Sequence, residues 1–133
     1  MYIHSYKDSP TSGGIDGTLV SENTGLTPIA TPLILVGNEC SPIKLAVRCD
    51  SGYATYGSTV ITPVGTTYDK WALAPDSAGS PGTFGAYGAA LTISGQVGAT
   101  NQLFWAKAKA VNGEAPQNDT TVDLQVAATI QAV

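Results

Sequence analysis

The chain is poor in the side chains that most chemistry needs. Of 133 residues only one is histidine, two are cysteine and one is methionine, and charged residues make up 12 %. A nucleophilic triad needs a base beside its nucleophile, and the lone candidate is His4, close to one end. A zinc site asks for three or four Cys, His or carboxylate ligands at set spacings, which His4, Cys40 and Cys49 do not provide. The six basic residues are scattered and the net charge is −4, so no patch stands ready to neutralise a row of phosphates; nucleic acid is not an expected partner. No apolar run approaches the roughly 20 residues of a membrane-spanning helix, and MYIHSYKDSP has no basic leader followed by an apolar stretch. The expectation is a non-enzymatic chain with no cofactor and no membrane partner, made in the cytoplasm.

What is abundant is Gly, Pro, Ala, Thr and Ser, with an apolar share of 43 %. That mixture suits short strands joined by punctuated turns better than a helical bundle. The length fits a single core, hence one domain over 1–133. No segment keeps the i, i+3, i+4 spacing of an amphipathic helix over three turns, and no repeat of 20–50 residues is visible.

Gly and Pro divide the chain into strand-sized pieces. YIHSYK and IDGTLVSE read as early strands, the second an edge, and LILVGNE as another. Residues 1–41 are weakly periodic and are expected to form edge strands or an arm that reaches a neighbour. PIKLAVRCD alternates strictly, with Ile43, Leu45, Val47 and Cys49 on one side and Lys44, Ala46, Arg48 and Asp50 on the other. STVITPV and DKWALAP follow, and Trp71 is the expected central core aromatic. PDSAGSPGTFGAYG, Pro75 to Gly88, is too rich in small residues to be regular and reads as an exposed excursion. AALTISGQV supplies Leu91 and Ile93 to the core.

The chain closes on two long alternating segments, NQLFWAKAKAV and TTVDLQVAATIQAV, read as a final hairpin around a polar loop. With Phe104 inward, Trp105 faces out beside Lys107 and Lys109 and needs a cover; with the reverse parity, Trp105 is inside and the alanines are outside. In the last strand Val122, Leu124, Val126, Ala128 and Ile130 share one face, and Asp123, Gln125, Ala127, Thr129 and Gln131 the other. These small outward residues, with few charges, carry little of the lysine protection that edge strands use against pairing.

Cys40, in the loop-like NECSP, and Cys49 are near enough in sequence for a disulfide, but Cys49 as a buried small hydrophobe with an incidental Cys40 is the plainer account. Asn118, Asp119 and Asp123 offer oxygen ligands near a loop, yet at no EF-hand spacing, and read as turn residues. The glycines of GTFGAYG lack the strand-to-helix context of a phosphate loop. Phe84 and Tyr87 beside them either contact a glycan or protein, or fold back to cap the domain.

The series KLAVRCD, DKWALAPD, FGAYGAALTISG and NQLFWAKAKAVNGEAPQNDTTVDLQVAATI, about Pro42 to Val133, resembles the small immunoglobulin-like β-sandwich proteins encoded in phage and prophage structural operons. A penultimate strand that ends in a Pro/Asn/Asp loop, and a last strand of the VDLQVAATI kind, carry the likeness. It implies a single antiparallel Greek-key sandwich of seven to eight strands. In function it implies a homo-oligomeric virion component, tail or capsid-surface, made in the bacterial cytoplasm and docking on itself and other virion proteins. The Cys…Trp…Cys pattern of antibody domains is missing. The residues expected at or near interfaces are Trp105, Val111, Ala127, Thr129 and Gln131 of the last two strands, with Phe84 and Tyr87 of the long loop. A glycan- or protein-binding module acting through residues 75–88 is the alternative.

Overall fold

The computed structural model describes residues 2–20, 35–36, 39–40, 42–65, 68–109 and 122–133. These are strands and connecting segments with one short 3-10 turn, Tyr68–Lys70. In chain order the strands are β1 (Ile3–Lys7), β2 (Thr18–Val20), β3 (Leu35–Val36), β4 (Glu39–Cys40), β5 (Ile43–Cys49) and β6 (Tyr53–Gly65). After the turn come β7 (Trp71–Ser77), β8 (Ser80–Pro81), β9 (Leu91–Ile93), β10 (Gln102–Ala108) and β11 (Val122–Ala132). All pairings are antiparallel, in a six-stranded sheet β2-β1-β5-β10-β7-β8, a three-stranded sheet β11-β6-β9 and the small pair β3-β4.

One core joins the two larger sheets, as expected for a β-sandwich. Leu45, Val47 and Cys49 of β5, Trp71 and Leu73 of β7, and Phe104, Ala106 and Ala108 of β10 meet Ile61 of β6 and Leu124 of β11. Trp71 and Phe104 have no exposed surface. The alternation in β5 falls as its sequence predicts, because only one of its faces carries large apolar side chains, and β10 takes the parity with Phe104 inward and Leu103 and Trp105 on the other face. Val97 plugs one side of the core from the segment after β9. Its backbone exchanges hydrogen bonds with Thr55, the Thr55 hydroxyl accepting and the Thr55 N–H donating at 2.8 Å each, while the Cys49 thiol donates to the Val97 carbonyl at 3.4 Å.

The last two strands are not a hairpin. β10 lies between β5 and β7 in the large sheet, whereas β11 pairs with β6 in the other. Each needs one apolar face, and a strand in either sheet meets that need; a polar connection between them serves a crossover as well as a turn. The strand read from STVITPV starts earlier and runs thirteen residues. Its register with β11 slips between Ala127 and Thr129, where β6 inserts extra residues around Gly57, whose φ of 82° suits a residue without Cβ.

Residues 75–88 are not an excursion. β7 turns into β8 through Ala78 and Gly79, both at positive φ, the backbone of a tight hairpin, and the Asp76 carboxylate accepts from Gly79 N at 3.2 Å. The chain then returns along β7: Gly82, Gly85 and Gly88 donate to the carbonyls of Pro75, Leu73 and Trp71 at 2.8, 3.0 and 2.7 Å. This explains why Ala72 and Ala74, on the outer side of β7, are as buried as Trp71.

Near the start of the chain, β1 lies inside the large sheet between β2 and β5, and of the two only β2 is an edge strand. Cys40 belongs to the β3-β4 pair rather than to a loop.

Candidate functional site

The outer faces of the two sheets differ in chemistry. On the large sheet the outer face is charged and largely occupied by the chain itself. Asn101, 5 % exposed, sits on it just before β10. Its amide donates to the Thr11 carbonyl (3.0 Å), the Asp16 carbonyl (3.2 Å) and the Asp16 carboxylate (2.9 Å), and its own oxygen accepts from Arg48 at 2.7 Å. Backbone bonds between Gly13 N and Asn101 O (3.1 Å) and between Asn101 N and Gly14 O (2.8 Å) complete the clasp. Arg48 also donates to the Asp16 carbonyl at 2.8 Å and lies 3.6 Å over the Tyr6 ring. Asp16 further accepts from the Thr11 N–H and hydroxyl, each at 2.8 Å. Those Thr11 bonds, and lesser ones, hold its carboxyl below the ordinary range against a small opposing effect of burial.

Further along the same face, Trp105 is outward and half-buried, and its indole N–H donates to Asp76 at 2.9 Å. Lys107 lies 4.7 Å over the Phe84 ring, and Lys109 lies 4.5 Å over Tyr87. The cover that Trp105 and the lysines require thus comes from the chain's own β7-β8 hairpin and returning segment. Phe84 and Tyr87 are half-buried, folded back on β10.

The outer face of the three-stranded sheet has a different character. Val60, Thr62 and Tyr56 of β6 stand opposite Ala127, Gln125 and Thr129 of β11, and Thr92 of β9 opposite Val60. None of these residues is charged; the one charged position that alternation assigns to this face is Asp123, opposite Val64 at its end. Gln125, Ala127, Thr129, Gln131 and Thr92 are exposed, and Tyr56 is 71 % exposed.

The residues expected at interfaces therefore divide between two surfaces. Ala127, Thr129 and Gln131 are exposed together on the nearly uncharged face; Trp105, Phe84 and Tyr87 gather on the charged one; Val111 lies outside the described residues. They do not form one patch, because the two closing strands belong to different sheets. Tyr56, Val60 and Thr62 join the nearly uncharged face, as the alternation of STVITPV with Ile61 inward allowed. The Asn101 clasp had no local signal, since its partners lie 85 and 90 positions away.

His4 Nε2 lies 3.4 Å from the Asp50 carboxylate, on the charged face beside Arg48. Cys49 is a free, buried thiol whose pKa is pushed up by burial first and by Asp50 second, the reverse of an activated nucleophile. No group of three or more His, Cys, Asp or Glu residues that could hold a metal occurs among the described residues; Asn118 and Asp119 lie outside them. Among the described residues no helix is long and apolar enough to cross a membrane. No family model, curated protein or solved structure matches the chain.

Proposed function

We propose that the protein is a non-enzymatic structural subunit that works by lateral contact, of the kind phages and prophages encode for tails or capsid surfaces. Its partners in this reading are further copies of itself and other virion proteins, and it passes from the bacterial cytoplasm into the particle. The observation that carries the reading is the nearly uncharged outer face of β6, β9 and β11. A face of Thr, Gln, Val, Ala and one exposed Tyr, whose one charged position by strand parity among the described residues is Asp123 at its end, is one that another protein can cover at low cost. Monomers usually spread charge over such a surface.

An immunoglobulin-like Greek key belongs to the same proposal. What supports it is the connectivity: β1, β5, β10 and β7 lie side by side, while β6 pairs with β11 and β9 in the other sheet, so the chain changes sheet at β5-β6, β6-β7, β8-β9, β9-β10 and β10-β11. Among the described residues the strands of three residues or more are β1, β2, β5, β6, β7, β9, β10 and β11, which makes eight. The alternative, a binding module acting through Phe84 and Tyr87, is disfavoured because both rings are half-buried and face lysines of their own chain.

Light scattering over a concentration series tests the assembly reading. The wild type should associate, and Thr62→Lys combined with Thr92→Lys should raise the dissociation constant at least tenfold, about 1.4 kcal/mol. Association that ignores these charges removes the face from the account. Gradient sedimentation after prophage induction tests the virion assignment: the chain should travel with particles, and recovery solely in the soluble fraction overturns it.

A further inference from the structure

The turn between β5 and β6 holds two tyrosine rings together. Tyr53 N donates to Asp50 O at 3.1 Å, and Gly52 between them has a φ of 90°, the third position of a type II turn, where a Cβ is disfavoured. The same Asp50 donates its N–H to Tyr2 O at 2.8 Å. One residue thus fixes the backbone of both tyrosines, and Val133 N braces the turn with a bond to Gly52 O at 2.9 Å. The result is a stack: the ring centroids of Tyr2 and Tyr53 are 4.2 Å apart and their planes differ by 12°.

Tyr2 leads into β1 of the large sheet and Tyr53 opens β6 of the other, so the stack bridges the two layers. It is open to solvent, with Tyr2 51 % exposed and Tyr53 half-buried. The hydroxyls lie at the same end of the stack: the Tyr53 pKa is pushed above its ordinary value by the charge of the Tyr2 phenol first, then by burial and a side-chain hydrogen bond to Tyr2. With the planes near parallel and the hydroxyls together, the ε carbons beside each hydroxyl also face one another.

We propose that Tyr2 and Tyr53 are a site of oxidative modification, where a haem peroxidase and hydrogen peroxide join the two rings as dityrosine and staple the large sheet to the three-stranded one. This is independent of the assembly reading. Each phenol gives up one electron and its hydroxyl proton, which leaves two phenoxyl radicals with high spin density at the ε carbons. A Cε–Cε bond forms, and the hydrogens on those carbons leave as protons while the two oxygens are reprotonated. Two C–H bonds are lost and one C–C bond is gained; the two electrons and two protons reduce one peroxide to two waters. The exposed Asp50 carboxylate, which acts on Tyr53 as a nearby charge, stands beside the pair to pass protons to water. The new bond lies in the ring planes, so one ring must tilt out of the stack, and Tyr2, half in solvent, has the room to do so.

The remaining tyrosines are less well placed. Arg48 lies 3.6 Å over Tyr6 and Lys109 4.5 Å over Tyr87, and a cation on the ring face opposes removal of an electron. Tyr56 and Tyr68 are exposed, at 71 % and 48 %. Radicals on those two rings couple when chains collide, whereas the stacked pair needs no encounter and dominates at low concentration.

Peroxidase treatment of the dilute protein tests this. Dityrosine fluorescence should appear while the mass stays that of one chain, 13.6 kDa, less two hydrogen atoms. Fragment spectra of the digest should place the link between Tyr2 and Tyr53. Tyr2→Phe and Tyr53→Phe, which keep a stacking ring, should each lose the single-chain product, and Tyr56→Phe should retain it. The linked chain should melt several degrees higher than the untreated one, because the bond closes a long loop in the unfolded chain as a disulfide does. Dityrosine that is absent, or found only between chains, overturns the site, and so does a single-chain product that survives Tyr2→Phe. A linked chain that melts no higher overturns the staple.

Discussion

The side-chain amide of Asn101 spans the carbonyl and the carboxylate of Asp16, at 3.2 and 2.9 Å, and its oxygen accepts a hydrogen bond from Arg48 at 2.7 Å. One nearly buried amide thus ties the segment before β2 to the start of β10 and to β5. Asn101→Ala should lower stability by about 1–3 kcal/mol, since it leaves several donors and acceptors of the clasp without partners. Urea denaturation measures this, and the midpoint should fall with little change in slope.

Asp16 also gives the clasp a pH dependence. Its folded pKa lies below its ordinary value because Thr11 donates to the charged form. A depressed carboxylate contributes stability that is fully present above the ordinary value near 3.8 and is lost as pH falls through the lower folded value. Asp16→Asn should flatten the fall in stability over that acid window, relative to the wild type, while lowering stability at neutral pH. Thermal melts at a series of pH values show the difference, and parallel curves would count against it.

Cys49 should behave as a reporter of unfolding. Buried, and with its thiol pKa raised, it should resist an alkylating reagent at neutral pH in the folded protein and react once urea unfolds the chain. Peptide mapping by mass spectrometry assigns the label to Cys49. Rapid labelling under native conditions would mean that the strand end opens.

Thr59 sits in the β6 bulge with its hydroxyl buried and without a hydrogen-bond partner among the described residues. Thr59→Val keeps the shape, removes the unsatisfied group and retains the β-branched form that strands favour. It should stabilise the protein by about 1 kcal/mol, read as a higher melting temperature.

The core was readable from the sequence because period-two alternation in β5 forces its large side chains to one side; Leu45 and Val47 follow directly, while β10 allowed two parities, of which Phe104 inward is the one taken. Alternation says nothing of which strand lies alongside. The closing hairpin therefore looked natural, although β10 and β11 sit in separate sheets, and the expected interface residues divided with them. Composition also misplaced residues 75–88: the glycines that suggest a loose loop are what lets a backbone lie close along β7 at Gly82, whose missing Cβ would stand 3.1 Å from the Pro75 carbonyl. The outward set Ala127, Thr129 and Gln131 was legible, since parity alone fixes it.

The sealing of β7 by Gly82, Gly85 and Gly88 bears on how far any association can run. In the language of step-growth chemistry, a monomer with two reactive ends propagates and one with a single reactive end only couples. With β7 closed by its own chain and β2 and β9 three residues long, these described strands offer little reactive backbone to a second chain. A second copy that meets the protein at those strands finds side chains rather than open backbone, and side-chain contacts are selective in a way that backbone pairing is not.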